Sequence, residues 1–361
     1  GAGRCGGAWL VLSISAAWVS VAQLARFAEE RNAQLQRCSV VPLMTCVNCS
    51  AWIFLAVPHM CRRMRELGAA GADSAAPGGG GRLAGLLRTG AFGVGQPPRF
   101  LALALSTNFC YIAALRFLPA SLNTAVFCTS PVFTLLLSVA WLPASLDGGS
   151  GSPAEGRRGC GAVLCSRQAL AVGLSVAGVL LIAEPWDSSA RHGPLWARAV
   201  GSSLSLLAAL GTSVYQVYFK VTFGDALRPD EIGLFLAHMG LYAATLLSSG
   251  LIVLMATGVY RLQLALVPWG LIGATAAASS LFNFLIKFGI SSESPMAMSL
   301  ATQIGIPMNL LLDVAVVHAN IDGLQAVGTA AMLLSFTLQK QRRRGGERPL
   351  AAPEKGQALD P

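Results

Sequence analysis

Thr302, Asn309 and Asp313 lie seven and four positions apart in an apolar run covering about 295–317. On a helix that spacing stacks all three on one stripe, and Asp313 is the only acid well inside such a run. A carboxylate there can attract a cation or take up a coupling proton. Near the end of a run it is also open to simple hydration, which would leave it without a role. Asn283 and Lys287 are four apart and share a face; Lys287 can hold an anion, or reach the aqueous boundary along its aliphatic stem. Ser205, Thr212 and Gln216 form a third stripe, with Tyr215 and Tyr218 beside it. Tyrosines near the end of an apolar run commonly anchor at an interface. Tyr215 lies deeper, where its ring can stack on an aromatic or cationic ligand. Asn108, Tyr111 and Gln23 complete the set, and every polar group inside an apolar run is a functional candidate by default.

These groups suit the lining of a solute path better than a catalytic centre. His59, His192, His238 and His318 are dispersed, and neither HExxH nor GxSxG occurs. The four glycines at 78–81 are not followed by the lysine and hydroxyl residue of a phosphate-cradling loop. Cys46 and Cys49 form a lone CxxC inside an apolar stretch and read as packing residues. No enzyme activity, cofactor or metal is therefore expected. The net charge of +9 is gathered in connections and in the tail "KQRRRGGER", which argues for membrane orientation and against a nucleic-acid partner.

The elements that must position these residues follow from composition. Of 361 residues, 54% are hydrophobic and 12% charged, against roughly 25% charge in a soluble domain. With about 20 apolar residues needed per crossing, the chain offers ten candidate spans: about 7–27, 38–60, 99–118, 120–142, 168–185, 197–218, 232–257, 264–286, 295–317 and 322–339. The Gly/Ser/Pro-rich stretches near 68–92 and 147–162 read as flexible loops, and 340–361 as a disordered basic tail. Ten spans put both termini and the even-numbered connections on one side. That side carries 19 of the 26 lysines and arginines, so both termini are expected in the cytosol. Asn48 opens an "NCS" sequon but falls within a span and should stay unmodified.

A shift of 176 positions aligns Pro119, Ala125, Pro131, Leu135 and Leu136 with Pro295, Ala301, Pro307, Leu311 and Leu312. The aligned segments are the fourth and ninth spans. The chain thus divides into two five-span halves, 1–190 and 191–339, and an odd number of spans per half makes the repeat inverted. Inverted repeats with interrupted helices are a transporter signature. Pro131 and Pro307 each withdraw a backbone hydrogen bond inside a span and are candidate hinges, or merely tolerated kinks. The expected fold is an all-α multi-pass membrane protein of ten transmembrane helices in two inverted five-helix repeats.

The stretches "AAWVSVAQLAR", "NFCYIAAL", "AVFCTSPVFTLLLSVAWL", "SVYQVYFK", "VPWG", "FNFLIKFGI" and "IPMNLLLDVAV", in that order, resemble the drug/metabolite transporter superfamily. Within it the chain is most similar to the F-type members of solute carrier family 35, which include thiamine-transporter-like proteins. Those members carry an acid just before the fourth span and an Asn-Lys pair within it, at positions resembling Leu122 and Ser130–Pro131 here. The resemblance implies a secondary transporter or exchanger of a small polar organic solute, such as a vitamin or nucleotide sugar. It places that transporter in the Golgi or another endomembrane rather than the plasma membrane. Its partners would be the solute and the lipid bilayer, with a homodimer allowed; the rival reading is a non-transporting sensor or scaffold derived from the same fold.

Overall fold

The computed structural model of the chain describes residues 3–35, 39–70, 95–114, 117–118, 120–141, 167–183, 195–224, 227–293, 295–317 and 323–346. Among them regular structure is wholly helical. In chain order the helices are α1 (Gly3–Leu35), α2 (Val41–Ser50), a 3₁₀ segment (Ala51–Ala56), α3 (Val57–Ala70), α4 (Gln96–Ala114), α5 (Ala120–Phe127) and α6 (Ser130–Trp141). Then come α7 (Arg167–Ala183), α8 (Leu195–Phe223), α9 (Pro229–Ala256), a short 3₁₀ turn (Leu264–Leu266), α10 (Trp269–Ser292), α11 (Pro295–Val317) and α12 (Gly323–Gly346). Among the described residues six stretches are long and apolar enough to cross a membrane: Trp9–Leu35, Val41–Arg62, Asn123–Trp141, Trp196–Phe223, Pro229–Ala256 and Trp269–Ser292. Large apolar side chains such as Phe54, Phe109 and Val259 point outward, an arrangement suited to lipid and costly in water.

Prolines open the returning helices, as their missing amide hydrogen permits. Pro229 and Pro295 stand first in α9 and α11. The start of α9 is closed further by Glu231, whose Oε2 accepts from the Arg228 amide at 2.9 Å. Gly224 and Gly258, with φ of 57° and 70°, end α8 and α9 in the left-handed conformation that favours glycine.

Two expected spans are not single helices. The second contains the 3₁₀ segment 51–56, and the fourth is divided between α5 and α6 at residues 128–129. By contrast α11 runs unbroken through Pro307. The loops expected near 68–92 and 147–162 fall almost wholly outside the described residues, but α3 continues to Ala70 and α12 to Gly346, past the end expected at 339.

Packing follows small residues. An added Cβ at Gly178 of α7 would lie 2.7 Å from the Gly328 carbonyl of α12, and one at Gly328 would lie 2.6 Å from the Gly178 carbonyl. The two backbones therefore touch, as close helix pairs in lipid do. The 3₁₀ segment sits on Gly233 and Gly240 of α9 in the same way. Helix α1 packs on α10 and α11, while α8 packs on α4, α5 and α6; α2 touches α10, and α9 touches α4.

Candidate functional site

Lys287 of α10 is the centre of a buried cluster at the meeting of α8, α9, α10 and the 3₁₀ segment. It is only 5% exposed, so its stem does not carry the charge to the surface. The i, i+4 spacing read from the sequence brings its Nζ to 2.9 Å from Asn283 Oδ1, and Asn283 donates in turn to the Ser279 carbonyl at 2.9 Å. The ammonium also lies 5.0 Å from the Tyr215 ring centroid and 5.9 Å from that of Trp52, within the range of cation–π attraction. Among the described residues no carboxylate pairs with it.

The rings are held from behind. Phe100 of α4 packs against Tyr215, Tyr218, Phe219, Phe223 and Phe235 with centroid separations of 4.8–5.8 Å. Tyr215 sends its hydroxyl toward Met239 Sδ at 3.9 Å. Trp52 has its indole N–H buried without an acceptor, and Gln216, next after Tyr215 on α8, has a buried, unpartnered Oε1. The cation thus has one neutral acceptor, and the Trp52 N–H near it has none.

A second polar cluster surrounds the break in the fourth span. Between α5 and α6 the backbone tightens: the Thr129 amide bonds the Val126 carbonyl and the Val132 amide bonds the Thr129 carbonyl. The Cys128 carbonyl is left to accept from Gln303 Nε2 of α11, while Ser175 of α7 donates to Gln303 Oε1. Ser213 of α8 donates to the Ser130 carbonyl at 2.8 Å, and Ser205 to the Asn123 carbonyl at 3.0 Å.

Comparison with known proteins bears on what such clusters serve. No family model matches the chain. Human solute carrier family 35 member F3 is 25% identical over 237 residues, 64% of this chain and 49% of that protein. Mouse solute carrier family 35 member F4 is 24% identical over 244 residues, 66% of this chain and 44% of that protein. The thiamine-repressible mitochondrial transport protein THI74 of Saccharomyces cerevisiae is 25% identical over 269 residues, 72% of this chain and 66% of that protein. The chain is related to the solute carrier family 35 transporters. It spans about half the length of the F-type relatives it matches. A solved crystal structure, 14% identical, matches with a TM-score of 0.62 over 96% of this chain and all of that one, a likeness of fold alone. With its apolar helices this relationship makes the chain a multi-pass membrane protein of transporter kinship.

The other residues singled out as lining groups of a solute carrier are distributed unevenly. Tyr215, Asn283 and Lys287 come together, and Gln216 follows Tyr215 in the chain. Tyr111 of α4 is half-buried and spent locally, its hydroxyl 3.3 Å from Thr124 Oγ1 and its carbonyl accepting from Asn123. Asn108 is exposed. Thr302 donates to the Ser299 carbonyl of its own helix at 2.7 Å, and Gln23 is half-buried in α1. Asn309 and Asp313 lie on α11, and their side chains fall outside the described residues. Pro131 is buried in the first turn of α6, directly after the break, and Pro307 is inside α11. Sequence reasoning passed over Trp52, Gln303 and Ser213. Gln303 had a signal, an amide in the middle of an apolar run; Trp52 had none, because the 3₁₀ segment that aims it leaves no mark in periodicity.

Proposed function

We propose that the chain is a secondary transporter or exchanger, built as ten spans in two inverted five-span halves, that moves a small polar organic solute across a membrane by alternating access. The observation that carries this reading is the exchange symmetry of the packing. Let α1, the second span (α2 to α3), α4, the α5–α6 pair and α7 stand for α8, α9, α10, α11 and α12. Then α1 on α10 and α11 becomes α8 on α4 and on α5–α6, and α2 on α10 becomes α9 on α4. Three of the five self-corresponding pairs, α7 with α12, α6 with α11, and the second span with α9, are in contact. Hydroxyls repeat the pattern: Ser15 of α1 donates to the Ala301 carbonyl of α11 at 2.9 Å, as Ser213 of α8 does to the Ser130 carbonyl. Such an exchange supports a pseudo-two-fold axis in the membrane plane, the frame on which one half rocks against the other.

The Lys287 cluster straddles the two halves, since Trp52 and Phe100 come from the first and Tyr215, Asn283 and Lys287 from the second. A buried cation lacking a counter-charge is costly, and the ring faces that would welcome a cationic solute are already turned to Lys287. The solute therefore presents an acidic group, carboxylate or phosphate, to Lys287 and the Trp52 N–H, a reading also compatible with a phosphorylated vitamin or a nucleotide sugar. Both termini lie in the cytosol and the membrane is an endomembrane, on the charge distribution and the kinship described above. Homodimerisation is compatible with this frame.

Counterflow into proteoliposomes of the purified chain tests the reading, with thiamine, thiamine diphosphate, a nucleotide sugar, a dicarboxylate and a tetraalkylammonium ion as solutes. Anionic solutes exchange, Lys287→Met abolishes their exchange, and Tyr215→Ala and Asp313→Ala lower it. Absence of counterflow for the whole panel favours the sensor or scaffold reading. Exchange of a cation that survives Lys287→Met removes the acidic-group assignment and leaves the transporter.

A further inference from the structure

We propose that Gln303 is a positioning residue for alternating access, a latch through which the second half holds the broken span of the first half closed. The inference rests on the two-half reading above. Three observations carry it. Helix geometry between α5 and α6 is interrupted, so the Cys128 carbonyl has lost the amide of residue 132, which bonds Thr129 instead. In apolar surroundings that carbonyl needs a partner, and the partner is Gln303, 4% exposed, on a helix of the other half. Gln303 itself is fixed by Ser175 of α7, so one amide ties α11, the break and α7 together. The neighbouring Ser130 carbonyl is held across the halves by Ser213 in the same way.

Relative motion of the halves must stretch these contacts, because donor and acceptor sit on opposite halves. Release of Gln303 frees the junction between α5 and α6 to bend and uncovers Cys128, whose thiol is buried in the closed arrangement. The latch sets the balance between the closed and opened forms; it does not touch the Lys287 cluster.

Cys128 supplies the readout. The full-length chain in nanodiscs is treated with N-ethylmaleimide, and the alkylation of individual cysteines is followed by peptide mass spectrometry. Cys46, buried between α2 and α9 with its Sγ 3.3 Å from Ser248 Oγ, is the internal control. Loss of one buried hydrogen bond corresponds to about a tenfold change in an opening equilibrium. Gln303→Leu should therefore speed alkylation of Cys128 about tenfold and leave Cys46 unchanged, while Ser175→Ala, which only loosens Gln303, produces a smaller rise of the same selectivity. Equal acceleration at Cys128 and Cys46 would mean general loosening and overturns the latch, as does no acceleration at either. Should Gln303→Leu fail to fold, the Ser175→Ala result decides by the same criterion. A wild-type chain that shows no counterflow refutes transport and leaves the Cys128 result standing as a test of the latch alone.

Discussion

Gly233 and Gly240 of α9 seat the 3₁₀ segment that carries Trp52, and replacing them by alanine separates close approach from helix propensity. In a helix interior alanine is favoured over glycine by about 1 kcal/mol. At Gly250 of the same helix an added Cβ meets nothing within 4 Å, so Gly250→Ala should stabilise by about that amount. At Gly240 the Cβ would lie 3.0 Å from the Cys49 carbonyl, the Ile53 amide nitrogen and Trp52 Cβ. Two of those atoms are backbone, so the segment itself must shift. At Gly233 the Cβ would press still closer onto the Leu55 carbonyl, which also belongs to the backbone. Overpacking of this kind costs about 1–3 kcal/mol, enough to cancel or reverse the propensity gain. The expected order of stability is Gly250→Ala above wild type, then Gly240→Ala, then Gly233→Ala, with about 1–3 kcal/mol between the extremes. Thermal unfolding of the purified chain in nanodiscs, followed by intrinsic fluorescence, reads the order. Gly240→Ala should also weaken solute exchange, since Trp52 Cβ is one of the atoms displaced. A Gly233→Ala protein as stable as Gly250→Ala would refute the seating of the 3₁₀ segment on α9.

The pair Gly178→Ala and Gly173→Ala applies the same logic to α7: Gly173 faces open space and should gain about 1 kcal/mol, whereas Gly178 abuts α12 and should lose stability in the same assay. Lys220, 2% exposed, donates at 2.8 and 2.9 Å to the Ser291 and Glu293 carbonyls at the end of α10; Lys220→Met should destabilise the fold by about 2 kcal/mol or more, because hydrogen bonds from a charged donor are each worth about 1.5–3 kcal/mol. Cys61 is exposed near the end of the second span, so in oriented vesicles a membrane-impermeant maleimide should label it only from the cytosolic face, and labelling from the opposite face would invert the proposed topology.

The existence and approximate places of the apolar helices were legible in the sequence because they depend on local composition and apolar length. Several ends were not: α1, α3 and α12 run past the expected limits. The Asn283–Lys287 pair was legible too, since it needs only the four-residue repeat of one helix. What was hidden depends on partners distant in the chain. Ser205 looked like a lining group, yet its hydroxyl is taken by the Asn123 carbonyl, 82 positions away. Asn108, another lining candidate, is exposed and has no part in the Lys287 cluster. Trp52 reaches Lys287 because a 3₁₀ segment replaces α-helix at 51–56 and because α9 offers glycines for it to rest on, a condition set by two segments together.

The two prolines in matching register behave differently. Each withdraws the hydrogen bond that a helix would send to the carbonyl four residues back, that of Phe127 for Pro131 and that of Gln303 for Pro307. Under the same 176-residue shift Phe127 and Gln303 are themselves equivalent. In the first half the helix opens there, with Thr129 Oγ1 turned back to the Val126 carbonyl at 2.7 Å. In the second half the helix persists, and the side chain at the equivalent position crosses to the Cys128 carbonyl beside Phe127. On the proposed two-half reading, matching helices carry unmatched chemistry: one half supplies the interruption, the other supplies the amide that fills it. Bending should concentrate in α5–α6 while α11 acts as the stiffer support. On that reading Lys287 shares its half with α11, so the cation should stay with the stiffer half while Trp52 approaches from the half that contains the break.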